Sequence, residues 1–495
     1  MVAWIDLKVS ISYPPLESGK GIPLLAQNRQ FQWFSEPTYI YPVVGAYAAT
    51  LLGRAGHRVV WDDGIAEEKS YARWLKDLEK TSPDLMLIET KTPVVKRHWK
   101  IIDDLKEVLP EVKVVLCGDH VTALPEESFH NSKVDYVLSG GDYDFLLLNL
   151  VNHLEKKEKL EPGIWYRKGK RVENTGPFQL NHDLNTLPFT DRDLTMWQLY
   201  AYENGNFKRT PGTYTMVGRD CWWRRNGGCT FCSWTTLFPT WRVRKPELLV
   251  DEIGFLLENY GIRTVFDDTG TFPADRWLRK FCKLMIERGY NKEIDFSCNM
   301  RFGACSLEDY KLMKRTGFRM LLFGLESGSQ RVLDELNKGV TLEDMTDSCR
   351  KAKKAGLTVH ITIMFGYPGA SRKEELQTYQ LAKKLMEDGY ADTLQSTLLM
   401  AYPGCRLYDM AVEKGWLRYP PGEWERWDMS EPVLKSVDMS PDEVKRLCDE
   451  AYRLFLSPKY VLRKLVSIRS FEDLEFVFKG TKKVFGHLKD FSVRK

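Results

Sequence analysis

Three cysteines stand close together near the middle of the chain, and their spacing indicates metal chemistry. Cys221, Cys229 and Cys232 form a C-x7-C-x2-C pattern in a loop that also contains Gly227 and Gly228. Thiolates are soft ligands that suit iron, and three of them can hold three corners of a cubane [4Fe-4S] cluster. The fourth iron would then be open to a substrate or a cofactor.

A structural zinc site is the main alternative for these cysteines. Such a site usually takes four protein ligands, with a second pair at a distance from the first, and no second C-x2-C pair occurs in the chain. Ten cysteines in 495 residues are also too few for a disulfide framework. Only Cys405 and Cys448 lie beyond residue 400, so we predict one cluster per chain.

The composition is that of an ordinary folded protein with several domains. The chain has 495 residues, of which 43% are hydrophobic and 28% are charged, enough to bury several cores. Its 72 Lys and Arg against 68 Asp and Glu leave a formal charge of +4, which does not favour nucleic acid or a membrane surface. The sequence shows no signal-peptide pattern and no apolar run long enough to span a membrane. We therefore expect a cytoplasmic protein with no nucleic-acid partner and no stable membrane insertion.

Residues 1–155 predict a doubly wound, Rossmann-like sheet. Short β-branched runs alternate there with helical periodicity, which is typical of a parallel sheet covered by helices. The predicted strands are Trp4–Ile11, His57–Trp61, Asp84–Ile88, Lys113–Cys117 and Tyr136–Leu138, and the predicted helices are Val43–Ala55, Ser70–Lys80, Val95–Val108 and Phe145–Glu155. Such a fold binds its ligand at the carboxyl ends of the strands.

A second α/β region follows and predicts a partial TIM-type β/α barrel that would position the cysteine loop. Residues 156–205 carry turn residues and predict a linker that can include a small hairpin. Within residues 206–407, the strand signals lie near Tyr214 and over Thr264–Asp267, Ile294–Asn299, Met320–Gly324, Val359–Phe365 and Thr393–Met400. The chemistry of such barrels takes place at the strand ends. Residues 408–495 predict a helical C-terminal region, in which an apolar stripe from Phe471 to Leu488 is more typical of a covered core edge than of membrane contact.

The cysteine loop resembles the cluster loop of radical S-adenosylmethionine (SAM) enzymes. It carries an aromatic residue, Phe231, directly before the third cysteine. Three residues usually separate the first two cysteines in that family, so the seven found here are a departure. Later segments are similar to further family segments in the same order, namely Val265–Thr269, Phe323–Gln330 with Leu336–Gly339, Ile361–Gly369 and Tyr402–Gly404.

The resemblance implies which residues bind the cluster and SAM. Cys221, Cys229 and Cys232 would ligate the cluster, with Phe231 beside it. The implied SAM contacts are Asp267 and Asp268 at the amino group, Glu326 or Ser327 at the ribose or the methionine part, and Ser297, Asn299 and Arg301 from the neighbouring strand. A guanidinium suits a carboxylate, while a salt bridge at the barrel rim is an equally good interpretation of Arg301.

The N-terminal region resembles the cobalamin-binding domain that precedes the radical SAM domain in one large subfamily. The resemblance lies in Cys117–Glu127 and Val134–Gly141. The implied corrin contacts are Gly118, Asp119, His120, Val121, Ser139, Gly140 and Gly141. Because no D-x-H-x-x-G motif occurs in the chain, we expect no histidine ligand to cobalt from such a motif and assign His120 a hydrogen-bonding or packing role. Alternatively, the domain keeps the fold without the cofactor and serves as a docking platform.

Together the resemblances imply a cobalamin-dependent radical SAM enzyme, with a methyltransferase as the first hypothesis. It would place a methyl group from methylcobalamin on an unactivated carbon of a small-molecule substrate. An electron donor such as flavodoxin or ferredoxin would be its partner. The alternatives are ring formation, ring contraction or carbon-carbon joining without net methylation, and a non-catalytic corrin or metal sensor.

Overall fold

The computed structural model describes residues 7–25, 31–34 and 38–468. Its N-terminal strands are β1 (Lys8–Tyr13), β2 (Ile22–Leu24), β3 (Gln32–Phe34), β4 (Arg58–Asp63), β5 (Leu85–Glu89), β6 (Lys113–Cys117), β7 (Tyr136–Leu138), β8 (Ile164–Lys168) and β9 (Arg171–Asn174). One seven-stranded sheet has the order β4-β1-β5-β6-β7-β8-β9, and β2 pairs separately with β3. The strands from β4 to β7 in this order are parallel.

Helices connect the parallel strands. They are α1 (Val43–Arg54), α2 (Tyr71–Thr81), α3 (Val95–Val108), α4 (Asp119–Ala123), α5 (Pro125–Asn131) and α6 (Tyr143–Lys156). All five residues of β5 are buried, as expected for a parallel strand covered on both faces. The parallel part has the 2-1-3-4-5 order of a doubly wound fold, which confirms the predicted fold class. Residues 4–6 of the predicted first strand lie outside the described residues.

The predicted linker is partly built into this sheet. Strands β8 and β9 form an antiparallel hairpin, and β8 also pairs antiparallel with β7. A short helix, α7 (Gln198–Ala201), follows. The sequence indicated the hairpin but not its partner, because nothing in a short polar hairpin specifies the sheet edge that it joins.

The second sheet has six parallel strands and forms a partial barrel. It consists of β10 (Gly212–Thr215), β13 (Thr264–Asp267), β14 (Asp295–Met300), β15 (Phe318–Glu326), β16 (Thr358–Phe365) and β17 (Thr393–Leu398), in that spatial order. Between β10 and β13, the short strands β11 (Gly218–Arg219) and β12 (Arg242–Val243) pair antiparallel. The helices of this region are α8 (Trp234–Leu237), α9 (Pro246–Tyr260), α10 (Asp275–Glu287), α11 (Leu307–Arg315), α12 (Gln330–Glu335), α13 (Leu342–Lys354) and α14 (Arg372–Glu387).

Capping boxes set the starts of three barrel helices. Ser306 with Asp309, Thr341 with Asp344, and Ser371 with Glu374 satisfy each other's backbone amides at the first turns of α11, α13 and α14. This reciprocal bonding fixes where a helix begins. The preceding strand ends are thereby held in place, and those ends carry the predicted site.

The C-terminal region contains helices α15 (Arg406–Glu413), α16 (Pro441–Glu450) and α17 (Pro458–Ser467). The region is mainly helical, as predicted, with the exception of residues 414–440, which form neither α-helix nor extended strand. This segment, called the strap below, returns to the N-terminal region. There Trp424 Nε1 donates to Glu127 Oε1 at 2.8 Å and Lys20 pairs with Asp428 at 2.5 Å. Two of its three tryptophans, Trp424 and Trp427, are buried, so burial rather than periodicity determines its path.

The apolar stripe from Phe471 to Leu488 lies outside the described residues. Within the described ranges, no helix combines the length and the apolarity that a membrane span requires.

Candidate active site

Asp267, at the end of β13, fixes the chain just before the cysteine loop. Its Oδ2 accepts hydrogen bonds from the Thr215 hydroxyl and the Val217 amide, both at 2.9 Å, and its Oδ1 accepts one from the Thr269 amide at 3.2 Å. Burial raises the pKa of this carboxyl group. Asp268 is buried beside it. Asp267, one of the two acids predicted to bind SAM, is therefore engaged by donors of the protein.

The three predicted cluster ligands are free thiols, each partly exposed. Cys221 Sγ lies 2.9 Å from Thr271 Oγ1, and the Cys232 amide donates to the Cys229 carbonyl at 3.3 Å. Burial raises the pKa of Cys221, a rise that the Arg301 guanidinium opposes, and burial raises the pKa of Cys232 to about 12. These thiols therefore lose their protons when a metal displaces them.

The described residues show no set of side chains arranged for a single metal ion. In the described part of the chain, no three His, Cys, Asp or Glu side chains converge on one point. A mononuclear zinc ion needs such convergence, whereas in a cubane cluster each thiolate binds a different iron. Phe231 packs partly buried against the core next to the third cysteine, which restricts access of water to that side of the loop.

The Trp222–Gly228 segment, which separates the first two cysteines, is held by the chain after β15. Trp223 Nε1 donates to the Asn337 carbonyl at 2.7 Å, and Asn337 Nδ2 donates to the carbonyls of Asn226 and Gly228 at 2.9 and 2.7 Å. At Gly339, whose φ is +61°, an added Cβ would lie 1.9 Å from the Trp223 ring. The long segment between Cys221 and Cys229 is thus held in place by its hydrogen bonds to Asn337.

Ser297, Asn299 and Arg301 lie together on β14 and just after it, as predicted. Ser297 Oγ is buried without a hydrogen-bond partner in the described chain, and Asn299 Nδ2 donates to the Thr269 carbonyl at 2.9 Å. Arg301 is buried and donates to the Lys338 carbonyl. Its described contacts are this carbonyl and the rings of Trp222 and Trp223.

Glu326 forms an ion pair, with 2.8 Å between its Oε1 and Lys338 Nζ. Both groups are buried, and the carboxylate raises the pKa of Lys338 against the opposing effect of burial. Glu326 has a φ of +62°, a strained backbone that is typical of functional sites. Ser327 Oγ accepts a hydrogen bond from the Ser329 amide at 3.1 Å. The pair places Glu326 beside the segment that anchors the cysteine loop.

Gly118, Asp119 and Val121 lie at the carboxyl end of β6, where the corrin contacts are predicted. Gly118 has a φ of +121°, and an added Cβ would lie 2.1 Å from the Thr90 carbonyl oxygen. Asp119 is 3.5 Å from Lys91 Nζ, and Val121 is buried. Only glycine allows the two strand ends to approach this closely.

His120 has a protein partner on each ring nitrogen. Nδ1 lies 3.2 Å from Thr92 Oγ1 and Nε2 lies 3.1 Å from Glu127 Oε2. The ring packs edge-on against Trp99 and Trp424. This is the hydrogen-bonding and packing arrangement that we expected for His120.

The other predicted corrin residues follow β7. Ser139 Oγ is buried and has no hydrogen-bond partner in the described chain. An added Cβ would lie 2.5 Å from the Phe178 ring at Gly140 and 1.9 Å from the Phe238 ring at Gly141. Both glycines therefore face protein aromatic rings on one side.

Residues 217–382 match the profile of the radical SAM superfamily. The chain contains a radical SAM domain. An uncharacterized methyltransferase of Pyrococcus horikoshii is 28% identical over 436 residues, which cover 87% of this chain and 91% of that protein. The anaerobic magnesium-protoporphyrin IX monomethyl ester cyclase of Rubrivivax gelatinosus is 22% identical over 435 residues, which cover 85% of this chain and 75% of the cyclase.

Two solved structures share the fold over nearly the whole chain. The cobalamin-dependent radical SAM enzyme OxsB, with aqua-cobalamin and SAM bound, aligns with a TM-score of 0.67 at 15% identity, over 98% of this chain and 72% of OxsB. The radical SAM methyltransferase TsrM from Kitasatospora setae, with cobalamin and a [4Fe-4S] cluster bound, aligns with a TM-score of 0.65 at 14% identity, over 98% of this chain and 99% of TsrM. The fold of this chain, an N-terminal parallel sheet followed by a radical SAM domain, is thus that of cobalamin-dependent radical SAM enzymes.

A buried ion network joins the radical SAM domain to the N-terminal sheet. Arg219 donates to the Gly141 carbonyl at 2.9 Å and to Asp144 at 2.6 Å, and Arg242 donates to Asp142 at 2.6 Å. Although burial raises the pKa of Asp142, its hydrogen bond with His182 and the charges of the two arginines hold that pKa below its usual range. The sequence placed acidic residues in the Gly140–Asp144 turn but missed their role, since their partners are distant in the chain.

Glu89, at the end of β5, is a second group that the sequence did not reveal. It accepts hydrogen bonds from the hydroxyls of Tyr13 at 3.0 Å and Tyr143 at 3.1 Å. Burial raises its pKa to about 7. A lone glutamate at the end of an apolar strand gives no signal of these partners in the sequence.

Proposed function

We propose that the protein is a cobalamin-dependent radical SAM methyltransferase acting on a small-molecule substrate. The main support is the loop at the carboxyl edge of the second sheet that holds three free cysteines, Cys221, Cys229 and Cys232. When bound, the cluster supplies the electron that splits SAM to a 5'-deoxyadenosyl radical, and methylcobalamin supplies the methyl group. The full-length relative named a methyltransferase supports this reaction over others.

The chain's own residues hold and orient these groups. The three thiolates would occupy three irons and leave the fourth for SAM. Ser297 Oγ and Arg301 Nε are buried donors without partners in the described chain. Buried donors are normally hydrogen-bonded, so a bound ligand would supply acceptor atoms for these two. Asp267 keeps the strand end in place by its three internal hydrogen bonds.

A corrin between the two sheets is supported by polar groups on both sides. Ser139 Oγ, at the end of β7, and Trp234 Nε1 and Thr236 Oγ1, on the helix after the third cysteine, are buried without hydrogen-bond partners in the described chain. Buried polar atoms of this kind usually find a partner in a ligand or water. Because both nitrogens of His120 are engaged, we propose that it does not ligate cobalt.

We also propose an electron donor such as flavodoxin or ferredoxin as the partner. The residues Arg225, Asn226 and Gly227 are exposed next to Cys229, so a donor protein has access to the cluster from this side. A positive residue at this tip suits an acidic donor.

A cyclase-type reaction without net methylation is the second candidate, and the relative from Rubrivivax gelatinosus favours it. Product analysis separates the two. Methylation with regeneration of methylcobalamin gives both S-adenosylhomocysteine and 5'-deoxyadenosine, whereas a rearrangement gives only the latter.

The testing experiment is oxygen-free reconstitution followed by analysis of iron, sulfide and cobalt. We expect about four irons and four sulfides per chain and one tightly held corrin. A protein that takes up the cluster but no corrin would contradict methyl transfer from cobalamin and would still support radical chemistry. Absence of any cluster would contradict the proposal as a whole.

A further inference from the structure

Arg301 is a buried cation whose described contacts are all uncharged. Its side chain is 5% exposed, and its Nε has no hydrogen-bond partner in the described chain. The contacts that it does make are the Lys338 carbonyl and two indole rings. A buried charge is costly unless it is paired, so an anion that reaches Nε would stabilise this arrangement.

The two indoles come from the segment that lengthens the cysteine spacing. The Arg301 guanidinium carbon lies 4.4 Å from the ring centroid of Trp223 and 5.4 Å from that of Trp222. A cation over an indole face is attracted by the ring quadrupole, more strongly when water is excluded. Trp222 Nε1 is a second buried donor without a partner in the described chain. Two unsatisfied donors on contacting side chains are suited to the oxygens of one carboxylate.

The position of Trp223 is itself fixed from the opposite side. Its N–H is bonded to the Asn337 carbonyl, and its ring occupies the space that a side chain at residue 339 would need. The ring therefore has little freedom to follow Arg301 if the arginine moves. Trp223 therefore restricts the position of Arg301, and not the reverse.

We propose that Trp223, together with Trp222, is a positioning residue that holds Arg301 for the carboxylate of SAM. The inference rests on the proposed function, because it needs SAM at the cluster. It assigns a role to Trp222 and Trp223, the first two residues after Cys221, which form the aromatic surface on which the guanidinium rests.

The test compares the affinities of the reconstituted protein for SAM and for decarboxylated SAM, measured by equilibrium dialysis without oxygen. Trp223→Leu removes the indole, and Trp223→Phe keeps an aromatic face but removes the hydrogen bond to Asn337. Trp165→Leu, on the β8–β9 hairpin, is the matched loss of a partly exposed indole elsewhere. Iron content and the electron paramagnetic resonance spectrum of the reduced cluster report on the cluster independently of activity.

We expect Trp223→Leu to keep its cluster and to bind SAM about tenfold more weakly, as the loss of a buried cation–π contact predicts. Its affinity for decarboxylated SAM should be unchanged, Trp223→Phe should lie between, and Trp165→Leu should match the wild type. Equal losses for both ligands, or no loss, would overturn the inference.

If Trp223→Leu takes up no cluster, Arg301→Lys and Gly339→Ala decide instead, the latter by pushing on the Trp223 ring. Selective loss of SAM affinity in both would support the inference, and an equal loss of both ligands would overturn it. A wild-type protein with a cluster that binds neither ligand would contradict the proposed function itself.

Discussion

Arg219 of the radical SAM domain is hydrogen-bonded to Asp144 of the N-terminal region, with 2.6 Å between Nη2 and Oδ2. Both side chains are buried. Arg219 precedes Cys221 by two positions, so the contact between the two sheets also holds the start of the cysteine loop. A change at this contact is expected to act on the fold and on the site together.

Arg219→Met leaves Asp142 and Asp144 without that cation. Breaking a buried pair by removing one partner costs about 3–5 kcal/mol, so we expect a lower thermal midpoint. Scanning calorimetry measures it. Arg73→Ala, which breaks an exposed pair with Asp77 on α2, should cost less than about 0.5 kcal/mol. Equal effects of the two changes would contradict the role assigned to the network.

Glu89→Gln should stabilise the protein increasingly as the pH rises from about 4.5 to about 7. The folded-state pKa of Glu89 is raised to about 7 from an ordinary 4.5. Over this interval the unfolded chain has lost the proton that the folded chain keeps, so the wild type loses stability as the pH rises. The difference should reach at most about 3 kcal/mol above pH 7. Denaturant unfolding of both proteins at several pH values measures it, and a difference independent of pH would argue against a raised pKa.

Cys229→Ser should abolish stable cluster binding after reconstitution. Hydroxyl is a poor substitute for a thiolate at iron, and only two cysteines of the loop would remain. Cys349→Ala, at a buried cysteine on α13, is the control and should keep its iron. Retention of a full cluster in Cys229→Ser would show that this cysteine is not a ligand.

Gly141→Ala should weaken the contact between the two sheets. Its Cβ would lie 1.9 Å from the Phe238 ring, which packs in the core, and overpacking of this kind costs about 1–3 kcal/mol. Gly19→Ala, with nothing within 4 Å of the added carbon, should leave stability unchanged. Thermal unfolding and the rate of limited proteolysis between the sheets measure the change, and identical behaviour of both variants would refute it.

Periodicity and strand-end motifs predicted both sheets and brought Ser297, Asn299 and Arg301 to one place. This succeeded because parallel strands bury continuous apolar runs and present their carboxyl ends at one edge. The same reasoning could not find that Arg301 rests on Trp223, nor that Asp142 meets Arg242. Those contacts join residues far apart in the chain, and no local pattern encodes them.

The strap failed to be predicted for a different reason. Its order comes from burying Trp424 and Trp427 rather than from backbone repetition, and turn-rich composition alone resembles any loop. Similarly, Glu326 was predicted as a SAM contact without its ion pair with Lys338, because that pair depends on the bend of the chain after β15.

The strap is synthesised long after the N-terminal surface that it covers. Trp424 closes over His120 and Glu127 only after a further 297 residues have followed Glu127 out of the ribosome, which takes roughly 15–60 s at ordinary elongation rates. During that interval the newly made N-terminal sheet has an uncovered aromatic face around Trp99. A gene fragment that ends before the strap would make this exposure permanent, and separately expressed halves would each lack a surface that the other half supplies.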